Sequence, residues 1–266
     1  MNRKAYILCK QIEFFMTKEG HTVWMALDVS TACIGITILV EDGSEYGKIA
    51  EMTHISPKVS NKIKGIESLF IKKQQFQQFI RGFSEYSIDR VVIEEPLVSS
   101  NNKNTVATLL RFNGMISDCI YNELKIVPDY ISSYDARQYS FPELMAIRKY
   151  GKDEKIYKPN KIISSIRDGN FVLFGSYPWT IEKKSVIHEK VSGIFPDIKW
   201  IYNKKGELKK ENFDATDSYV ACLGQINMER YGKLEFKSDY IAIGEDKVEY
   251  DVLYWDRKVH RTTYLA

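Results

Sequence analysis

Four acidic side chains lie at positions where a carboxylate is costly unless it has a partner. Asp28 and Glu94 each end an apolar run that has the length of a buried strand. Asp214 and Asp217 open a helix-like segment and are three residues apart, so both carboxylates lie on the same side of it. Removing a charge from water is expensive, and a hard divalent cation with oxygen ligands is a common partner for several carboxylates. The pattern therefore predicts a metal centre built from these four acids.

Each of these acids also has a purely structural interpretation. Asp28 would cap the turn after its strand, Glu94 would form an ion pair at a strand end, and Asp214 would be a helix N-cap. Glu95 competes with Glu94 for the same role, because adjacent side chains on a strand point to opposite faces. Glu94 is preferred because it directly follows the apolar run. The interpretation that all four acids are structural is much weaker than the interpretation that any one of them is.

The composition is that of an ordinary globular protein. The chain is 44% hydrophobic and 27% charged, and its 266 residues suit one large domain or a domain with an elaborated insertion. With a net charge of +3, any nucleic-acid surface must come from local basic patches. The four cysteines form no C-x-x-C pair, which argues for a reducing compartment and against a zinc or disulfide framework.

No membrane segment or export signal is predicted. The chain has no run of eighteen apolar residues, and charged residues interrupt the apolar ones near the N-terminus. We therefore expect a cytoplasmic protein with no membrane partner. Richness in tyrosine and lysine with few prolines suits an AT-rich genome, either that of a bacterium or that of a phage within its host cell.

The elements that must position the acids can be predicted from hydrophobic periodicity. Strands are predicted at residues 23–29, 34–41, 47–55, 90–94 and 126–132, and helices at residues 3–18, 62–83, 105–123, 181–194 and 214–229. Three strands with short links are thus followed by helix, strand, helix and strand. This order brings the ends of the first and fourth strands together, near the last helix. We expect an α/β, RNase H-like fold with a five-stranded mixed sheet flanked by helices.

Three parts are predicted along the chain. Residues 1–22 would form a helical N-terminal extension, residues 23–229 the RNase H-like domain, and residues 230–266 a C-terminal extension that contains a small hairpin. Within the domain, residues 134–180 form an insertion in which aromatic and basic residues alternate. That mixture suits phosphate contacts and base stacking. The alternative is aromatic packing on the outside of the sheet.

These motifs resemble those of RuvC-type Holliday junction resolvases. The segment 27–37 resembles the family's opening strand pair, in which an Asp is followed by a short turn and a Gly, here Gly35. Ile93-Glu94-Glu95 resembles the second acidic motif, with Glu94 in the family's position, and the segment 214–218 resembles the final Asp-x-x-Asp helix. The segment 183–188 loosely resembles the family's basic helix. The resemblance covers about residues 23–133 and 181–229.

The resemblance implies a metal-dependent endonuclease that cuts branched DNA, with four-way junctions as the main substrate. Two Mg²⁺ or Mn²⁺ ions in each active site would activate water and stabilise the transition state of phosphodiester hydrolysis. Asp28 would bridge the two ions, Glu94 would hold one, and Asp214 with Asp217 would complete the shell of the other. Paired nicks in a symmetric junction imply a homodimer. Recombination, repair and debranching of phage DNA are all compatible tasks.

The same resemblance predicts further contacts with DNA. The predicted DNA-binding residues are Leu97, Asn102, Lys103, Lys183, Lys184 and His188. Lys184 would contact the scissile phosphate or orient the attacking water, assisted by His188 one turn further on. Leu97 lies where the family places an aromatic wedge, and an apolar side chain there would still unstack bases. The alternatives are solvated lysines, a surface or interface histidine, and a plain polar loop around Asn102.

Other functions remain open at this point. An RNase H-fold nuclease that acts on RNA–DNA hybrids or flaps would use the same four acids. A junction-binding protein without catalysis is a second alternative, against which the presence of all four acids argues. An actin-like ATPase would need a second glycine-rich phosphate loop, and the chain contains no Gly-Gly.

Overall fold

A computed structural model describes residues 5–10, 20–96, 102–144, 183–232, 236–237, 241–243, 247–255 and 257–264. The strands are β1 (Ala5–Lys10), β2 (Thr22–Val29), β3 (Ile34–Glu41), β4 (Lys48–Ile55), β5 (Arg90–Glu94), β6 (Asp129–Ile131), β7 (Phe236–Lys237), β8 (Ile241–Ile243), β9 (Lys247–Tyr254) and β10 (Arg257–Tyr264). The α-helices are α1 (Gly65–Ile80), α2 (Lys103–Leu124), α3 (Ser133–Ser140), α4 (Lys183–Ile194) and α5 (Lys210–Tyr231). None of these described helices is long and apolar enough to cross a membrane.

The first six strands form one mixed sheet in the order β1-β4-β3-β2-β5-β6. Strands β1 to β4 pair antiparallel, whereas β2, β5 and β6 run parallel to one another. The five strands from β4 to β6 in this order are the five predicted from periodicity. Three antiparallel strands followed by two parallel ones, joined through helices, make an RNase H-like sheet, so the predicted α/β fold is confirmed.

The N-terminal prediction of a helix is wrong over the part that the structure describes. Residues Ala5–Lys10 form a sixth strand, β1, which pairs antiparallel with β4. Without it, β4 would be an edge strand with unpaired N–H and C=O groups, and pairing satisfies them. This long-range pairing overrides the helical periodicity that we inferred for residues 3–18. Residues 3–4 and 11–18 of that segment lie outside the described part of the chain.

The sheet carries a hydrophobic cluster on each face. In β2, Trp24 and Ala26 pack on the face covered by α5, and Met25 and Leu27 pack on the opposite face with α1 and α2. Because side chains alternate along a strand, Asp28 continues the row of Trp24 and Ala26. The alternation therefore directs the Asp28 carboxylate towards α5.

Helix α5 lies unusually close to the sheet at Gly35. A β-carbon at Gly35 would lie 2.0 Å from the main-chain oxygen of Asp214, so no other residue fits without a shift of the backbone. In the β2–β3 ladder Gly35 is directly opposite Asp28. The close approach therefore brings the first turns of α5 to the end of β2.

Only the first part of the predicted insertion lies within the described residues. Ser132 caps α3, and the helix packs against α5. Tyr139 is 8% exposed and Phe141 is 1% exposed, and both belong to the core on the α5 face. These two aromatic residues are therefore not available for base stacking. Residues 145–182 lie outside the described part.

The C-terminal residues form a second, antiparallel sheet from strands β7 to β10. Strands β9 and β10 make a hairpin that reaches residue 264 and lies within the predicted C-terminal extension. Trp255, at the turn of this hairpin, stacks on Tyr231 at the end of α5 with ring centroids 4.7 Å apart. The second sheet is thereby joined to α5 at the end away from Asp214.

Candidate active site

The structure brings the four predicted acids together at one edge of the main sheet. Asp28 is the penultimate residue of β2, and Glu94 is the last residue of β5, its parallel neighbour. Asp214 and Asp217 lie in the first two turns of α5. The charge of each of the other three acids raises the pKa of Asp28, which places all four within electrostatic reach of one another.

Glu94 and Glu95 are separated by the pleat of the strand. Glu94 is two residues after Val92, which packs on the α5 face. Because side chains alternate along a strand, the Glu94 carboxylate points to the same side of the sheet as that of Asp28. Glu95 is exposed. Glu94 is therefore the one of the two that faces the other acids.

Lys184 is the basic member of this group. It lies on α4, and its Nζ is 2.8 Å from Asp217 Oδ2 and 3.8 Å from Asp214 Oδ1. Burial works against its charged form, but attraction by Asp217 and a hydrogen bond to that carboxylate outweigh burial and raise the pKa of Lys184 to about 12. Lys184 is thus a permanent positive charge within the acidic group.

One lysine does not relieve the electrostatic strain among four acids. Burial, and then repulsion by Glu94 and the two aspartates of α5, holds the pKa of Asp28 well above its ordinary value. Burial also raises the pKa of Glu94 to about 7, with repulsion by Asp217 acting in the same direction. Burial likewise raises the pKa of Asp214. The ionised forms of these side chains are disfavoured until more positive charge is supplied.

The donor chemistry of the group fits a hard divalent cation, which prefers carboxylate oxygens. Among the described residues, however, no three His, Cys, Asp or Glu side chains are already grouped as ligands of a metal ion. Lys184 holds part of the space in question, since its ammonium group contacts both aspartates of α5. A divalent cation would therefore compete with Lys184 for Asp214 and Asp217.

Cys33 contributes to the site in a way that the sequence analysis did not foresee. Burial raises the pKa of its thiol well above the ordinary value, and the Asp214 carboxylate acts in the same direction, so the thiol lies beside Asp214. The turn that carries Cys33 is closed by Ser30, whose hydroxyl donates to Cys33 O at 2.8 Å and accepts from Cys33 N at 3.1 Å. The turn that follows Asp28 thus also lies against Asp214. The position of Cys33 in this turn was the available signal.

Arg137 is a second residue whose role at the site was missed. Its positive charge lowers the pKa of Glu94, against the larger effect of burial. Arg137 lies on α3, which follows β6, and the parallel pairing of β5 with β6 sets Ile131 beside Glu94. The parallel order of β5 and β6 could have predicted this proximity of Arg137 to Glu94, because the carboxyl ends of parallel strands meet at the same edge of the sheet.

The predicted DNA contacts have different environments. Asn102 is exposed and caps α2, with its Oδ1 accepting a hydrogen bond from Thr105 N at 3.2 Å. Lys103 and Lys183 are exposed at the first residues of α2 and α4. Leu97 lies outside the described residues. The exposed polar side chains at these helix starts are accessible to a ligand, and their contact with DNA stays a prediction.

The prediction that His188 binds DNA is wrong. Its side chain is buried, with 5% exposed, and its Nδ1 is 3.2 Å from Thr216 Oγ1. The ring also packs edge-on against Trp200 and Phe213. Burial lowers the pKa of His188, which favours the neutral imidazole. The α4 face that carries Lys184 and His188 packs against α5, so the histidine is a core residue.

Comparison with known proteins gives likenesses among solved structures. No protein-family model matches the chain, and no curated protein matches it. The structure of T. thermophilus RuvC in complex with a Holliday junction substrate is 11% identical, with 79% of this chain and 96% of that chain covered and a TM-score of 0.49. The yeast mitochondrial Holliday junction resolvase Ydc2 is 11% identical, with 79% of this chain and 82% of that chain covered and a TM-score of 0.42.

A likeness to another class of protein is also found. The Aquifex aeolicus PPX-GPPA enzyme is 11% identical, with 49% of this chain and 46% of that chain covered and a TM-score of 0.32. The likeness to Holliday junction resolvases that the motifs indicated is thus found again among solved structures. At these identities and TM-scores it carries no activity over to this chain, whose function must be inferred from its own side chains.

Proposed function

We propose that this chain is a metal-dependent endonuclease that cuts branched DNA, with four-way junctions as its main substrate. The observation that carries the proposal is the convergence of Asp28, Glu94, Asp214 and Asp217 around Lys184 at one sheet edge. The four acids would hold Mg²⁺ or Mn²⁺. Two such ions, when bound, supply an activated water and neutralise charge that develops on the phosphate.

Lys184 acts on the substrate from the α4 side. With a pKa of about 12 it stays protonated at any working pH. In the cation-free protein it neutralises part of the charge on Asp217. Once the aspartates of α5 are neutralised in another way, its ammonium group is released to bind the scissile phosphate or to orient the attacking water.

Glu94 makes the proposed activity dependent on pH. Its pKa of about 7 means that a large share of the molecules carry a proton on Glu94 at neutral pH. A carboxylate must lose that proton before it can act as a ligand. Activity at a limiting Mg²⁺ concentration should therefore rise with pH through this range.

A homodimer would supply two such sites for a symmetric junction. Resolution needs two paired nicks, and two copies of this chain related by a twofold axis would place one site at each strand to be cut. The dimer is part of the proposal.

The proposed substrate is tested with labelled DNA in the presence of Mg²⁺ or Mn²⁺. A four-way junction is compared with a linear duplex, a flap and an RNA–DNA hybrid of matched sequence. Paired symmetric nicks in the junction alone are expected. Cutting of the hybrid or the flap instead would keep the metal site and overturn the substrate. Tight binding of the junction without any cutting, with either ion, would overturn the enzymatic function.

A further inference from the structure

A surface groove lies where the loop between β4 and α1 meets the first half of α1. Its volume is about 660 Å³. One wall is the loop, residues 57–64, and the other is a face of α1. Ser68 and Lys72 lie on that face because they are four residues apart, and Lys64 is the N-cap residue of α1.

The groove is basic and rich in hydrogen-bond donors. Three lysines line it, Lys58, Lys64 and Lys72, and its polar lining also includes Ser60, Asn61 and Ser68. The described residues that line the groove include no carboxylate. Ammonium groups interspersed with hydroxyl and amide donors are the chemistry that binds phosphate groups of a nucleic-acid backbone.

The loop wall is held in place by hydrogen bonds within the protein. Gln75 on α1 accepts a hydrogen bond from Lys58 N at 3.0 Å and donates one to Lys58 O at 2.8 Å. Ile63 N donates to Ser60 O at 2.9 Å across the tip of the loop. The groove is therefore formed before any ligand binds, which lowers the cost of ordering these lysines on binding.

Two contacts join this groove to the acidic site. Lys72 Nζ donates to Thr31 O at 2.6 Å, and Thr31 lies in the turn directly after Asp28. At the start of the loop, the side chain of Ser56 is within reach of the Cys33 thiol, which also lies beside Asp214. The groove thus begins beside the turn that follows Asp28 and lies against Asp214.

We propose that this groove binds the phosphate backbone of a DNA arm next to the cut. The inference rests on the proposed endonuclease function, and it adds a DNA-binding surface that the sequence motifs did not indicate. The contacts are made to phosphates, so they contribute affinity and orientation for an arm of any sequence.

The test uses the full chain and two charge-removing variants, Lys58→Gln and Lys64→Gln. Both lysines are exposed, and neither belongs to the acidic site. Lys125→Gln is the matched control, because Lys125 is an exposed lysine that follows the end of α2, at the opposite edge of the sheet. Affinity for a fluorescent four-way junction is measured with Ca²⁺ in place of Mg²⁺ over a series of KCl concentrations.

Each groove variant is expected to bind about fivefold more weakly at a given salt concentration, as for the loss of one ion contact at the surface. The slope of log K against log[KCl] should fall in magnitude by about 1 for each lysine removed. Lys125→Gln should change neither quantity.

Three other results would contradict the proposal in distinguishable ways. Unchanged affinity and slope in both groove variants, with normal binding by the wild type, would contradict DNA binding by the groove but would not contradict the proposed endonuclease function. Equal losses in Lys125→Gln would assign the effect to net charge rather than to the groove. A wild-type chain that binds neither junction nor duplex would overturn the endonuclease itself.

Discussion

Replacing Glu94 with glutamine should stabilise the protein when no divalent cation is present. Glu94 is buried among other acids, and its pKa is raised to about 7 from the ordinary value of 4.5. Above pH 7 the folded protein must hold an ionised carboxylate that its surroundings disfavour. Glutamine has nearly the same shape and cannot ionise, so the variant avoids this penalty.

The sign and size of the effect follow from proton linkage. Between pH 4.5 and pH 7 the folded state binds more protons at Glu94 than the unfolded state does, so stability falls as the pH rises through this window. Each pKa unit corresponds to about 1.4 kcal/mol. At pH 8 the gain in the free energy of unfolding should therefore approach about 3 kcal/mol, or roughly 6–12 °C in Tm for a chain of this size. At pH 4.5 it should vanish.

The assay is urea denaturation in EDTA at pH 4.5 and at pH 8. Glu95→Gln is the control, since it removes the same charge from the exposed neighbouring residue and should stay within about 0.5 kcal/mol of the wild type. Saturating Mg²⁺ should raise the stability of the wild type more than that of Glu94→Gln. If Glu94→Gln is no more stable than Glu95→Gln at pH 8, Glu94 does not belong to a strained acidic group.

Three further predictions concern the packing and charge of the site. Gly35→Ala should destabilise the protein by about 1–3 kcal/mol in denaturant titrations, because the new β-carbon meets the main chain of α5. The control Gly114→Ala, which has open space around it in α2, should stabilise the protein by about 0.5–1 kcal/mol. Equal effects of the two substitutions would refute the close approach of α5 to Gly35. Lys184→Met should lower the cation-free stability at pH 8 by about 1 kcal/mol, a small loss because solvent screens a side chain that is 42% exposed. The same substitution should enlarge the rise in Tm on adding Mg²⁺. An unchanged response to Mg²⁺ would show that the lysine and the cation do not compete. His188→Ala should cost about 2 kcal/mol of stability through the lost ring contacts. The junction affinity of the folded variant should be unchanged, and a weaker affinity would support a DNA contact at this histidine after all.

Local patterns were sufficient for the centre of the fold. Strand β5 has the bounds predicted for the strand at residues 90–94, and β3 has those predicted at residues 34–41, because the apolar residues of both strands are buried. The convergence of Asp28 and Glu94 follows from their places at the carboxyl ends of parallel strands. Alternation along β5 decides which of Glu94 and Glu95 faces the other acids once the face covered by α5 is known.

Long-range contacts account for what was missed. Strand β1 pairs with β4 across more than forty residues, and no local periodicity reports such a pairing. His188 has the spacing to share a face with Lys184, but only the packing of α4 on α5 shows that this face is buried. The proximity of Cys33 to Asp214 likewise depends on how closely α5 approaches the sheet at Gly35.

The most direct test of the central claim is single-turnover cleavage of a labelled four-way junction in Mg²⁺ by the wild type, Asp28→Asn and Glu95→Gln. Junction binding is measured for each protein in parallel. The proposed metal site predicts that the wild type and Glu95→Gln cut the junction at similar rates, and that Asp28→Asn binds it but does not cut. Cutting by Asp28→Asn at the wild-type rate would contradict the assignment of these acids as the metal site of a nuclease.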